Sequence, residues 1–263
     1  MFDLSLCLRL LETEWLGRRF WYFPSVDSTN RYLRDLPAGR LSHGLVCLTD
    51  CQKEGRGQYG RRWHSRPGEN LTFTMVLTPG RSDRERLWPL VAIYALNRTL
   101  LVDYGVESKI KWPNDLIISG KKVAGVLGEC RYSGKMTERM LVGMGININQ
   151  RSFPDDIASD ATAVAAHTEC RTMVLARFLA GLLNRMEQYF DQAEAGDSRL
   201  VRNMGENLQC HGEKAIISVN GIRMDSPVTI MGINENGSLA VHSEQEGMRF
   251  CSHGEVRIER TDC

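Results

Sequence analysis

The sequence has almost no excess of either charge: 33 Lys and Arg residues stand against 32 Asp and Glu, a formal net charge of +1. No global positive field exists to hold nucleic acid or an anionic membrane, so any basic chemistry must be local. Long uncharged apolar runs are also missing. The opening stretch, residues 1–23, is broken by Asp3, Arg9, Glu12, Glu14, Arg18 and Arg19, which excludes a signal peptide or membrane span there. Leu4, Leu8 and Leu11 recur in it at helical spacing and predict an amphipathic helix. None of the eight cysteines (Cys7, Cys47, Cys51, Cys130, Cys170, Cys210, Cys251 and Cys263) forms a C-x-x-C pair, and no second pair or histidine cluster completes a structural zinc site. Without a signal peptide a disulfide framework is not expected either, and reduced thiols in a cytoplasmic protein are. The chain lacks G-x-x-x-x-G-K-[ST], internal repeats and low-complexity tracts.

What is present suggests one large domain and one small one within 263 residues. Ser28-Thr29-Asn30 begins a short helix that runs to Pro37. Leu45–Thr49 and Leu71–Leu77 read as strands, the second alternating and rich in β-formers. A long helix ends near Asp103; Ser82 or Asp83 could cap its start, and Pro89 suits its first turn. Asp115–Ile118 and Lys121–Leu127 flank Ser119-Gly120 as a hairpin. Residues 141–149 predict a further strand, with Asn147 and Asn149 on one side of it. Leu175, Phe178, Leu179, Leu182, Met186, Tyr189 and Phe190 form a helical core stripe. From Leu208 the texture changes to short β-prone runs separated by Asn220-Gly221, Asn236-Gly237, Glu246-Gly247 and His253-Gly254, the pattern of a small β-barrel.

Gly55, Gly57 and Gly60 formally satisfy G-x-G-x-x-G, but the dinucleotide reading needs a helix opening at the third glycine. Arg61-Arg62-Trp63-His64-Ser65-Arg66-Pro67 is a poor start for one. What remains is a flexible glycine loop carrying Arg56, Arg61 and Arg62, able to bring backbone N–H groups and guanidinium forks to phosphate or carboxylate and to close over them. A solvated basic loop has the same composition. Lys111-Trp112-Pro113-Asn114-Asp115 adds a cation, a stiff turn and a carboxylate within five residues. Lys111 can neutralise phosphate, and Asp115 can hold Mg²⁺ or orient a nucleophile. Lys122, followed by the small Ala124 and Gly125, is either a cation aimed into a site or an exposed hairpin lysine. Gly143-Met144-Gly145-Ile146-Asn147 suits a ligand contact, and strand-end turns use the same residues.

In order along the chain, Ser28-Thr29-Asn30, Gln52 with Gly55-Arg56-Gly57, Arg61-x-Trp63, Lys111-Trp112-Pro113-Asn114-Asp115, Lys122-x-x-Gly125-x-x-x-Glu129 and Gly145-Ile146-Asn147 resemble the biotin protein ligases of the monofunctional kind. The resemblance spans residues 20 to about 259. It implies an α+β fold: a central mixed sheet with flanking helices, like class II aminoacyl-tRNA synthetases, at 1–206, plus a small SH3-like β-barrel at 207–263. It implies a biotin–[biotin carboxyl-carrier protein] ligase that joins biotin and ATP, with Mg²⁺, into biotinyl-5′-AMP. Biotin then passes to one lysine of the carrier domain of a biotin-dependent carboxylase. By the same resemblance Ser28, Thr29, Asn30 and Gln52 line the biotin pocket. Arg56, Gly57 and Gln58 belong to the loop ordering over biotin and its adenylate. Lys122, beside Gly125, meets the biotin carboxylate, and Arg61, Trp63, Lys111 and Asn147 surround the nucleotide together with Arg56. Asp115 places the acceptor lysine or the metal, so that Arg56, Lys111, Asp115 and Lys122 form the catalytic set; no metal ligands are assigned.

Two departures stand out. Gln58 occupies a position where many members carry arginine, which implies looser retention of the adenylate. Ser28 begins the first motif with no room before it for a helix-turn-helix domain, so DNA is not an expected partner; nor, with a net charge of +1 and no apolar span, is a membrane. The resemblance covers both monomers and homodimers. A lipoate ligase or octanoyltransferase shares the catalytic architecture and is the nearest rival. A non-catalytic biotin or nucleotide sensor would not need Arg56, Lys111, Asp115 and Lys122 together.

Overall fold

A computed structural model of the chain describes residues 1–80, 84–134, 136–170, 172–219, 221–252 and 256–259. In chain order its elements are α1 (Leu4–Leu10), β1 (Phe20–Phe23), α2 (Thr29–Arg34), β2 (Val46–Thr49), β3 (Leu71–Leu77), α3 (Trp88–Tyr104), β4 (Lys109–Lys111), β5 (Asp115–Ile118), β6 (Lys121–Ser133), β7 (Met136–Ile146), α4 (Leu175–Glu194) and α5 (Ser198–Glu206). β8 (Lys214–Val219), β9 (Ile222–Arg223), β10 (Val228–Ile233), β11 (Leu239–Ser243), β12 (Gly247–Cys251) and β13 (Val256–Glu259) follow.

The first seven strands make one sheet in the order β1-β2-β3-β7-β6-β5-β4. β1 runs parallel to β2 and every other pair is antiparallel, so the sheet is mixed. β2 and β3 are buried along their whole length because helices cover both faces. α3 and α4 pack on one face over Leu71, Phe73, Met75 and Leu77. α2 covers the other, where Leu33, Leu45, Cys47, Val76 and Leu141 form a satellite cluster. α3 is apolar nearly all round, as a helix enclosed on every side must be. Pro89 sits in its first turn and Gly105, at φ 66°, ends it. Ser82 and Asp83, the other possible caps, lie outside the described residues.

Several expectations need correction. The N-terminal helix is only seven residues long, and its inward face uses Leu4, Cys7 and Leu11, while Leu8 is 43% exposed. The chain then turns into β1. β7 begins at Met136 and ends at Ile146, so Asn147 and Asn149 do not share a strand face. The chain leaves the sheet there because residues 69–70 claim its backbone: Asn70 Oδ1 accepts from Ile148 N at 3.0 Å and Glu69 O from Asn149 N at 2.8 Å, while the Asn149 side chain exchanges two hydrogen bonds with the backbone of Met173.

β8 to β13 form a curled antiparallel sheet in the order β12-β11-β10-β8-β13, with β9 on β8, resembling half of a barrel. Its predicted turns at 236–237 and 246–247 are formed, with Gly237 at φ 76° and Gly247 at φ 75°. Asn220 and His253-Gly254 lie outside the described residues. One hydrophobic core runs without a break from the first sheet through α3 into Ile217, Ile230, Leu239 and Val241. The connection 207–209 bridges to β4 through Ile110, whose N–H donates to Asn207 O at 2.9 Å and whose carbonyl accepts from Gln209 N at 2.8 Å. Trp112 Nε1 donates to the carbonyl of Gly237 at 3.1 Å. The seven described cysteines carry free thiols, and burial pushes those of Cys7 and Cys47 up to about 12; Cys263 lies outside the described residues.

A buried carboxylate fastens the N-terminal segment. Glu187, on α4, accepts from the backbone N–H groups of Glu14, Trp15 and Leu16 at 2.5, 2.8 and 2.6 Å. Glu187→Ala strands three donors at once and should cost about 3 kcal/mol, with Glu187→Gln intermediate. Denaturant titration that finds the alanine variant as stable as the parent would refute the fastening role.

Candidate active site

Cross-strand neighbours place their side chains on one face of a sheet. One such row crosses the first sheet from β2 to β4: Thr49, Thr72, Gly145, Gly125, Asp115 and Lys111. The next row reads Cys47, Thr74, Gly143 and Leu127. Glycines therefore occupy the middle of both rows, where side chains would otherwise fill the face. The result is a trough of about 430 Å³, with hydroxyls toward one side and the Asp115 and Lys111 turn toward the other.

The missing side chains are replaced by groups from elsewhere. Trp63 lays its indole over Gly145, where any Cβ would overlap it. Asn30 sets its amide against Gly143 in the same way. At Gly125 an added Cβ would stand 3.1 Å from Lys122 Nζ, so the glycine lets Lys122 fold back. Lys122 Nζ lies 2.6 Å from Asp115 Oδ1 and 5.7 Å from the Trp63 ring centre. The contact with Asp115 is a close ion pair without the direction of a hydrogen bond, and Asp115 Oδ1, Trp63 Nε1 and Asn147 Oδ1 all remain buried without a hydrogen-bond partner. The Lys122 ammonium compensates Asp115 Oδ1, whereas the other two atoms cost about 1–3 kcal/mol each unless a ligand or solvent meets them. All three residues line the trough.

The glycine loop is more ordered than its composition predicts. Gly57 N donates to Arg61 O at 2.7 Å and Trp63 N to Gly55 O at 2.9 Å, closing a tight hairpin. Tyr59 and Gly60 turn its tip at φ 57° and 72°, leaving Tyr59 67% exposed with Arg61 against its ring. No helix opens at Gly60. Arg56, Gly57, Gln58 and Arg61 line the trough from this hairpin. Ser28, Thr29 and Asn30 reach it from the start of α2, where Ser28 caps the helix by accepting from Arg31 N. Gln52 reaches it beside them; Lys111 and Asp115 flank the Trp112-Pro113 turn, whose peptide bond is cis. Every residue to which the resemblance assigns a role thus borders one cavity.

Sequence reading missed other parts of the wall. Phe153, Ile157, Asp160 and Ala161 close one side, held there because Lys122 N donates to Asp160 O at 2.7 Å and Thr162 N to Lys122 O at 2.9 Å. Residues 151–161 carry no periodic signal that could have announced this. Thr72 and Thr74 were legible, since two hydroxyls alternate with apolar residues along β3 and must face the same way.

Residues 22–147 match the model of the Biotin/lipoate A/B protein ligase family. The chain is 30% identical over 237 residues to the bifunctional ligase/repressor BirA of Escherichia coli, covering 86% of this chain and 69% of that one. It is 38% identical over 126 residues to the biotin–[acetyl-CoA-carboxylase] ligase of Paracoccus denitrificans, 47% of this chain and 52% of that protein. The chain spans about half the length of several curated relatives, 49% for the BirA of Bacillus spizizenii. The biotin protein ligase of Aquifex aeolicus, solved with biotin and ATP, superposes with a TM-score of 0.80 at 26% identity, over 93% of this chain and all of that one.

Gly145→Ala should drive the Trp63 indole out of the trough. Its fluorescence would shift to the red and become quenchable by iodide, and the change should disappear in a Trp63→Phe background. An unaltered spectrum would mean the glycine is not what seats the indole.

Proposed function

The chain belongs to the biotin/lipoate A/B protein ligase family, and on that premise we propose that it activates biotin with ATP and transfers it to a lysine of a biotin carboxyl carrier domain. One observation carries the reading: a single trough combines a hydrogen-bonding floor, cations at its centre and rim, and buried polar atoms left for a ligand. That set suits a small polar acid meeting a nucleotide.

In the first step a carboxylate oxygen of biotin attacks the α-phosphorus, the bond to pyrophosphate breaks, and biotinyl-5′-AMP forms. Two anions must approach, and Arg56, Lys111 and Lys122 offset their repulsion while stabilising charge that develops at phosphorus. Lys122 is already in the trough, and an arriving carboxylate competes with Asp115 for its ammonium. Trp63 offers an indole face to the base; Arg61 and Asn147 take polar contacts of the nucleotide. In the second step the acceptor amine attacks the acyl carbon, AMP leaves, and the amine gives up a proton for which Asp115 is the nearby carboxylate. The hairpin 55–63 covers the mixed anhydride against water. Ser28, Thr29, Asn30 and Gln52 hold the biotin head.

Mg²⁺ held by nucleotide phosphates needs only one or two protein carboxylates. Asp115, once Lys122 turns to another anion, and Asp160 at the rim fit that need, although no group of three His, Cys, Asp or Glu residues among the described residues forms a ready cage. The ion would supply neutralisation of phosphate charge. Free thiols support a reducing, cytoplasmic setting. We keep residues 1–206 as the catalytic unit and 207–263 as the appended β-domain. The polar floor favours biotin over lipoate, whose dithiolane ring offers no hydrogen-bond donor.

Purified protein with ATP, Mg²⁺ and radiolabelled biotin should yield biotinyl-AMP and label a carrier domain; lipoate should yield neither. Product from lipoate, or no adenylate from either acid, would overturn the reading. Gln58 lines the trough without the charge an arginine would bring. Gln58→Arg should therefore slow release of biotinyl-AMP, and an unchanged off-rate would sink that expectation.

A further inference from the structure

A chain of hydrogen bonds runs beneath the trough and ends outside it. Its outer member is Glu129 on β6, whose Oε1 accepts from Arg34 Nη1 at 3.0 Å and whose Oε2 accepts from Asn30 Nδ2 at 2.7 Å. An ionised carboxylate can only accept, so, aided by the Leu127 carbonyl that accepts from the same Nδ2 at a longer 3.4 Å, it turns the Asn30 nitrogen outward and Oδ1 inward. Asn30 Oδ1 then meets the hydroxyl of Thr74, 2.5 Å away, with Gly143 leaving the space. Thr74 has one proton and commits it there. Toward Thr29 Oγ1, 2.7 Å away, Thr74 can therefore only accept. Two hydroxyl oxygens this close need a proton between them, so Thr29 donates to Thr74 in preference to Gln52 Oε1 at 3.1 Å, and its remaining acceptor capacity is left to the cavity. Gln52 Oε1 also accepts from Thr29 N at 2.9 Å, which turns Gln52 Nε2 the other way, toward Gly55. The floor thus presents an acceptor at Thr29 beside a donor at Gln52, the complement of an N–H and C=O pair such as a cyclic urea carries.

We propose that Glu129, held by Arg34, is a positioning residue that sets the direction of this relay and so selects a ligand head bearing an N–H donor. The proposal rests on the biotin reading above. Replacing the carboxylate by an amide, which can donate as well as accept, removes the stronger of the two constraints on Asn30 while keeping the shape.

The test uses the full chain with biotin titrations and steady-state kinetics. Glu129→Gln should raise the Kd and KM for biotin roughly tenfold, the scale of one mis-set hydrogen bond. It should leave kcat within about twofold and KM for ATP unchanged. Thr74→Val cuts the same chain and should cost a similar factor, and the double variant should be no worse than the poorer single one. A merely structural role would move KM for ATP as well, and the two losses would multiply. Either of those outcomes, or biotin binding by Glu129→Gln within twofold of the parent, overturns the relay. Parent protein that does not bind biotin overturns the functional reading and the relay with it. Should Glu129→Gln fail to fold, Arg34→Ala at the exposed end must still weaken biotin binding about threefold, and no change there would equally refute the role.

Discussion

The site depends on what three residues do not have. Gly125, Gly143 and Gly145 stand at adjacent register positions in the middle of an otherwise well-covered sheet. A side chain at any of them would fill the trough or evict its occupant. Because register in a sheet links every strand to its neighbours, the floor of the cavity is a property of the pairing of β3, β7, β6 and β5, and the loops supply only its walls. The sheet's opposite face, buried under α3 and α4, holds that pairing in place. The core and the site are therefore two sides of the same four strands.

On this floor the electrostatics are organised in layers. Lys122 is drawn in and paired with Asp115, whereas Arg56, Arg61 and Lys111 stay at the solvent-facing rim. Cations at the rim draw anions inward at little desolvation cost. The inner cation changes partner only when a second carboxylate arrives. Below both layers, the neutral hydroxyls and amides at Thr29, Asn30, Thr74 and Gln52 carry shape and direction instead of charge.

Much of this was legible in the sequence, and the limits are physical. Local signals were reliable where they acted locally: Ser28 as a cap, Pro89 in a first turn, Ser119-Gly120 as a hairpin turn. Arg56, Arg61, Lys111, Asp115 and Lys122 stood out because charge beside glycines and a proline is an unusual cluster, whereas Ser28, Thr29, Asn30, Gln52 and Trp63 were nominated through the family resemblance. Their assembly was not visible from spacing, since Gly145 meets Gly125 only through strand pairing and Asn30 meets Glu129 across the sheet. Asn147 and Asn149 were placed together by period-two reasoning, which fails once Glu69 and Asn70 take over the backbone. The wall at 153–161 gave no pattern because it is held by main-chain bonds to Lys122, and backbone bonding leaves no trace in side-chain identity.

The indole of Trp112 lies between Lys111 and Asp115 in sequence and holds a carbonyl of the second sheet. It is thus a mechanical coupling: one ring joins the chemistry-bearing turn to a separate layer of the fold. The C-terminal sheet is then no detachable accessory. Without it a buried indole N–H in the turn that carries Lys111 and Asp115 would lose its acceptor, and the shared core would lose Ile217, Ile230, Leu239 and Val241.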